Sequence, residues 1–361
     1  MYWKLACIGF VLSAVTLGSP IPVRGEAPDE NYVPPGDYQP EYQEEAPPKR
    51  TEPLPPERIR QDLERPARDF RVTALQSHFS GDLWVGSWLG LARINPNTGA
   101  IISRISLPNY KVGALAQDKV GRVWVGTHQG LLRVDHKLNS VTVDSVSLPS
   151  QKILSLLVDK RGFLWVGGDR GLTLVSPDKG LQMTTLQDLP GVSANALTLD
   201  KEGQLWVGTL QGLVRVNTAN AFPMGRISNI PGGLVQTITT NPKDGKLWVG
   251  TPTSLLVIDP ETRRIERSVT PLRGRNVTKV RFAKDGTVWV GTTTGLLKIK
   301  ADSGASLGVV TNLPSDQIMS LAPDTGNKLW IGTTEGLAWL SLTTGKARPH
   351  LAFVREAPED Y

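Results

Sequence analysis

Few residues in this 361-residue chain have the chemistry that catalysis needs. There are four histidines (His78, His128, His136, His350) and a single cysteine, Cys7. One cysteine excludes a disulfide framework, a Cys-based zinc site and a CxxC redox pair. The spacing G-x-S-x-G occurs once, from Gly304 to Gly308 around Ser306. A nucleophile elbow needs a strand-to-helix turn and a histidine within reach. Ser306 instead falls between two strand-like runs with no histidine nearby in sequence. No G-x-x-x-x-G-K-[ST] follows a strand-like run, so the abundant glycines are not phosphate loops. His128, with Asp169 and Glu335 as conceivable helpers, makes no recognisable catalytic set. The expectation is therefore no catalytic residues, no metal site and no cofactor, and a function that rests on binding.

The elements that position these residues repeat. Trp84, Trp124, Trp165, Trp206, Trp248, Trp289 and Trp330 recur at intervals of 40 to 42 residues, each within a phrase such as LWVGT or VWVGT. A glycine follows each Trp by two residues. A second follows by six in every copy but one, where Ser254 stands instead. Each repeat holds four short strand-like runs separated by turn residues, the first two joined by a D-x-x-G turn in several copies. Four strands every ~41 residues describe a propeller blade, and seven copies describe a closed ring. The expected fold is all-β: a seven-bladed β-propeller over 71–361 with four antiparallel strands per blade. One Trp per blade at the same place reads as packing between neighbouring sheets. The repeated glycines read as close backbone approach or positive φ.

The LWVGT-xx-GL phrase, followed by an apolar strand, resembles the two-component-regulator propeller repeat. So does the apolar-Pro step before the first strand of five blades, Leu107-Pro108, Leu148-Pro149, Leu189-Pro190, Ile230-Pro231 and Leu313-Pro314. That resemblance implies a periplasmic or extracellular sensing or binding propeller. No signalling domain follows the repeats, so a member of this kind would act through a partner. The LW core is also similar to the streptogramin-lyase propellers, which leaves a lyase or hydrolase working in the channel as the alternative.

Function in such a ring belongs to the non-repeated loops. The connections from second to third strand, and from the fourth strand to the next blade's first, meet on one face around the channel. Trp88, His128, Arg170, Gln211 and Glu335 lie in the first set, and Arg275 in the second. These six are the expected ligand-binding residues, with Trp88 the aromatic that breaks its column.

Charge and the N-terminus complete the organisation. Residues 1–18 carry Lys4 before an apolar stretch too short for a standard span, which reads as an export signal, with cleavage as late as residue 27 and a single membrane anchor as the alternative. Residues 19–70 hold 12 of the 27 prolines and carry 12 acids against 7 bases, an acidic tether with a short helix expected at 57–65. Residues 71–361 carry 32 bases and 22 acids. A basic exported ring suits an envelope protein or an anionic ligand, either polysaccharide or small molecule, and no recognition helix or basic run suits nucleic acid. The chain is expected to be periplasmic or secreted and monomeric.

Overall fold

The structure, a computed structural model, describes residues 69–144 and 146–354. The expected signal, residues 19–68 of the tether and the 57–65 helix lie outside the described residues. Seven sheets follow one another along the chain. Each is built from four consecutive antiparallel strands. The first strands of blades 1 to 7 are Val72–Ser77, Val112–Gln117, Ile153–Val158, Ala196–Leu199, Thr237–Thr240, Val277–Phe282 and Ile318–Ala322. Each packs beside the first strand of the next blade, and that of blade 7 beside that of blade 1, so these innermost strands close a ring around a channel. The seven-bladed, four-stranded architecture read from the repeat is the one observed.

Position in the ring explains strand composition. The second strands, such as Leu205–Thr209, are buried along all or nearly all of their length around an apolar Leu-Trp-Val type core. The fourth strands form the outer rim. Ile101–Ser106 alternates half-buried and exposed residues, with the period of two expected of a strand with one wet face. Ser306 opens the rim strand of blade 6, Ser306–Val310, exposed and far from any nucleophile elbow.

The seven tryptophans sit between blades. Trp206 of blade 4 packs with Leu247, Val249, Leu256 and Ile258 of blade 5. Trp84 meets the corresponding strands of blade 2, and Trp248 those of blade 6. The same wedge closes the ring: Trp330 of blade 7 packs with Leu83, Val85, Ala92 and Ile94 of blade 1. No sheet mixes strands from the two ends of the described chain. Closure rests instead on this apolar contact and on side-chain bonds. The Ser320 hydroxyl donates to the Val72 carbonyl at 2.9 Å, and Lys328 Nζ to the Pro96 carbonyl at 2.7 Å.

The two families of repeated glycines do different work. Those two residues after each Trp have ordinary φ but no room for a side chain. A Cβ on Gly208 would lie 2.5 Å from Val235 Cγ1, and one on Gly291 2.5 Å from Ile318 Cγ2, each atom belonging to the next blade's leading segment. Those six residues after the Trp, such as Gly212 at φ +117°, occupy backbone that L side chains rarely adopt. Where Ser254 replaces this glycine, the second strand ends one residue early, at Gly250, and the Thr251–Ser254 turn absorbs the difference.

In blades 3 and 4 one carboxylate organises the D-x-x-G turn. Asp159 Oδ1 accepts from the backbone N–H groups of Arg161, Gly162 and Phe163, and its Oδ2 accepts from the Trp165 indole at 3.1 Å. Asp200 likewise accepts from the Trp206 indole at 3.1 Å and pairs with Arg215. Replacing Trp206 by Ala is expected to cost about 3–5 kcal/mol of unfolding free energy. Gly208→Ala is expected to cost roughly 1–3 kcal/mol, because Val235 must move to admit the methyl. Chemical denaturation checks both, and a Gly208→Ala protein as stable as the parent would contradict the close-approach account.

Candidate functional site

Outside blade 5, the loops between second and third strands are two-residue connections, most of them held by the last residue of the second strand. The Thr127 hydroxyl accepts from the Gln129 N–H at 3.1 Å and donates to the Gly130 carbonyl at 2.8 Å. Thr209, Thr292 and Thr333 repeat this staple. Each clamp is a local side-chain-to-backbone bond of the kind Ser and Thr make in turns. Blade 3 has Gly168 at this position, and a hydroxyl from elsewhere replaces the missing one. Ser150 Oγ lies 2.9 Å from the Arg170 N–H and accepts from it, in space that a side chain on residue 168 would fill.

The two loop sets are joined on this face. The His128 N–H donates to the Lys111 carbonyl at 3.1 Å, and the Asp169 N–H to the Lys152 carbonyl at 3.2 Å. The sequence-predicted residues lie on these short loops, except Arg275, which lies in the longer connection from blade 5 to blade 6. Trp88 and His128, from adjacent blades, come together with ring centroids 6.5 Å apart. Two cations also reach the Trp88 ring, Arg71 at 4.1 Å and Lys111 at 4.2 Å from its centroid. Both are within cation–π range. Trp88 is half-buried, the core of a small cationic cluster rather than a bare stacking platform.

Arg170, Gln211, Arg275 and Glu335 are exposed, each on its own blade, and among the described residues no hydrogen bond, ion pair or ring contact joins their side chains to this cluster or to each other. Asp169, Asp316 and Glu335 share the face, so its charge is mixed, with Arg71, Lys111 and Lys152 grouped on blades 1 to 3. Arg71 was not among the residues singled out from the sequence. It stands just before the first strand of blade 1, in the position that Lys111 and Lys152 hold in blades 2 and 3, and the pairing of Val72 with Ser87 sets it beside the loop after Trp84.

The electrostatics of His128 follow from its setting. Partial burial, then the nearby positive charges of Lys152 and Lys111, push its pKa below the ordinary histidine value. The imidazole is therefore favoured in its neutral form, and no carboxylate hydrogen-bonds to it among the described residues. No group of three or more His, Cys, Asp or Glu side chains converges with metal-binding geometry there.

The two component regulator propeller family matches the chain over residues 106–129, 147–170, 188–211 and 312–335. Each match runs from the end of one blade across the apolar-Pro step into the next blade's first two strands and its loop. No curated protein matches the chain by sequence. Among solved structures it is similar to the extracellular domain of the putative hybrid two component system BT3049 from B. thetaiotaomicron, with TM-score 0.63 and 19% identity. That alignment covers 75% of this chain and 40% of the other, so this chain spans well under half the length of that relative. It is also similar to virginiamycin B lyase from Staphylococcus aureus, with TM-score 0.62 and 14% identity over 74% of this chain and 93% of the lyase. At these identities both likenesses are likenesses of fold.

At the opposite end of blades 1 and 2, His78 takes the place that Asp holds in the turns of blades 2 to 4. It is buried, with Nε2 donating to the Gly121 carbonyl at 2.9 Å and Nδ1 2.6 Å from the Ser80 hydroxyl. Burial lowers its pKa, opposed by the Gly121 bond and assisted by neighbouring His136. An unfolded histidine titrates near 6.5, so below that pH the unfolded chain binds protons that folded His78 and His128 resist. The unfolded state then gains relative to the folded one, and stability falls as pH falls. Melting temperature is expected to drop between pH 7.5 and 5.5, and the drop to shrink in a His78→Gln, His128→Gln double variant. An unchanged slope in that variant would assign the acid sensitivity elsewhere.

Proposed function

We propose that this chain, built of two component regulator propeller repeats, is an exported, non-enzymatic binding propeller that recognises an anionic partner at its loop face. The partner is an acidic polysaccharide, a small anion-bearing molecule or an acidic patch on an envelope protein. The observation that carries this reading is the group formed by Trp88, Arg71, Lys111 and His128, with Lys152 beside it. Lys111 and Lys152 make no ion pair with a carboxylate among the described residues. Cations held over an aromatic ring concentrate positive charge at one place on the face, which suits a carboxylate or sulfate group. Short stapled loops keep that geometry without ordering cost at binding. The likeness to the extracellular domain of a putative two component system supports export.

The lyase reading keeps support from one likeness of fold. Against it, His128 has no acidic partner, and its neutral form is favoured by cations that belong equally to a binding surface.

Dextran sulfate and poly-glutamate serve as polyanion probes. The protein is expected to bind them with an affinity that falls as salt is raised. Trp88→Ala and Lys111→Ala should each weaken binding about tenfold, and Arg170→Ala less, with melting temperatures unchanged. An isotherm unaltered by Trp88→Ala and Lys111→Ala would overturn the assignment of this face.

A further inference from the structure

The channel contains a feature that the loop face does not explain. Along the first strands, the residue paired with the glycine two places after each Trp is small, being Ala, Ala, Ser, Ala and Thr in blades 1 to 5 and Ser320 in blade 7. In blade 6 it is Lys279, paired with Gly291. Two residues on, in the position paired with the Trp itself, the other blades carry Gln, Ala, Leu, Thr, Thr and Ala, and blade 6 carries Arg281. Residues i and i+2 of a strand share a side. Both cations line the central cavity, of about 110 Å³, and no Asp or Glu lines it with them.

Neither charge is neutralised. Lys279 has no hydrogen-bond or ion-pair partner among the described residues, and Arg281 donates only to the neighbouring Val280 carbonyl, at 3.0 Å. Several other polar groups along the first strands are spent on holding blades together. Thr73 donates to the Val112 carbonyl, Ser155 to that of Ala194 and Ser320 to that of Val72. The two unpaired cations of the cavity both stand on blade 6. The walls leave the two side chains in contact with channel solvent but surround them with protein. This desolvation, with the like charge of Arg281, pulls the Lys279 ammonium down from 10.5 to about 8. Arg281 is lowered by the same desolvation. Two cations sharing a confined polar cavity without a carboxylate are stabilised when an anion enters between them.

We propose that the channel holds one small tetrahedral oxyanion, of the inorganic phosphate or sulfate kind, bound by Lys279 and Arg281 of blade 6. The anion would couple that blade to the inner strands across the channel. The site is separate from the loop-face cluster, and its occupancy does not depend on what that face recognises.

Sulfate and phosphate are the probes, titrated calorimetrically into the full chain at ionic strength held constant with chloride. One anion per chain is expected, together with a rise in melting temperature as anion is added. The test variant is Lys279→Ala with Arg281→Thr, which gives blade 6 the pair that blade 4 carries at Ala196 and Thr198 and so keeps side chains the fold already accepts there. Affinity should fall roughly tenfold or more, the loss expected for charge-assisted bonds, and the thermal response should disappear. Trp88→Ala should leave both intact. Wild-type protein that ignores both anions, equal binding by the double variant, or binding lost in Trp88→Ala would each overturn the proposal.

Discussion

Every other feature of this propeller depends on the Trp that each blade inserts into its successor. A four-stranded sheet of this size cannot bury both faces alone, and a ring of such sheets holds only if each interface carries enough apolar contact to offset the chain entropy. A large ring buried to 0–2% exposure against the next blade's second and third strands meets that need. Its geometry then dictates the rest. The glycine two residues on must lack a side chain, because the next blade's leading residue occupies that space. Burial of the indole also asks for an acceptor. Asp159 and Asp200 supply one, whereas Trp84, Trp124, Trp248 and Trp289 have no partner for Nε1 among the described residues. For Trp124, Trp248 and Trp289 a cation over the ring, from Arg133, Arg267 or Lys298, is the polar contact observed.

This dependence explains why the fold was legible in the sequence and the site much less so. Packing at seven equivalent interfaces imposes one requirement seven times, and the requirement surfaces as a period. The glycine positions were equally visible, but their two physical causes were not. Only the distance from Gly208 to Val235 and the φ of Gly212 separate crowding from backbone conformation. A binding residue is needed once, so no period announces it. Trp88 stood out because it broke a loop column, and its loop and the next blade's do bring it to His128. Its cationic partner Arg71 holds the position of Lys111 and Lys152 in the next blades, and its contact with Trp88 follows from the register of the first hairpin, with Val72 opposite Ser87.

Lys279 and Arg281 show the reverse case. Charge at positions that are uncharged in the other six blades is as clear a departure as Trp88. The signal lies in the first strand of blade 6, outside every loop. In a propeller the innermost strand is both a packing element and the wall of the channel, so a departure there is as open to a functional reading as one in a loop.

The distribution of charge pairs bears on both sites. The buried or half-buried ion pairs Arg93–Asp82, Arg122–Asp118, Arg161–Asp159 and Arg215–Asp200 all use the carboxylates of the turns between first and second strands. Those turns lie at the end of the ring opposite the two-residue loops. Arginines at that end serve the fold, holding turn and indole in register. Lys111, Lys152, Lys279 and Arg281 have no such duty, and no carboxylate pairs with them among the described residues. An unpaired cation held close to other cations costs stability, most of all inside a walled channel, where solvent screens it least. In the channel the other six blades hold uncharged residues at both positions, so the fold does not require that cost there. The charges that are structurally dispensable are therefore the ones a partner or an ion has reason to meet, at the loop face and, independently, in the channel.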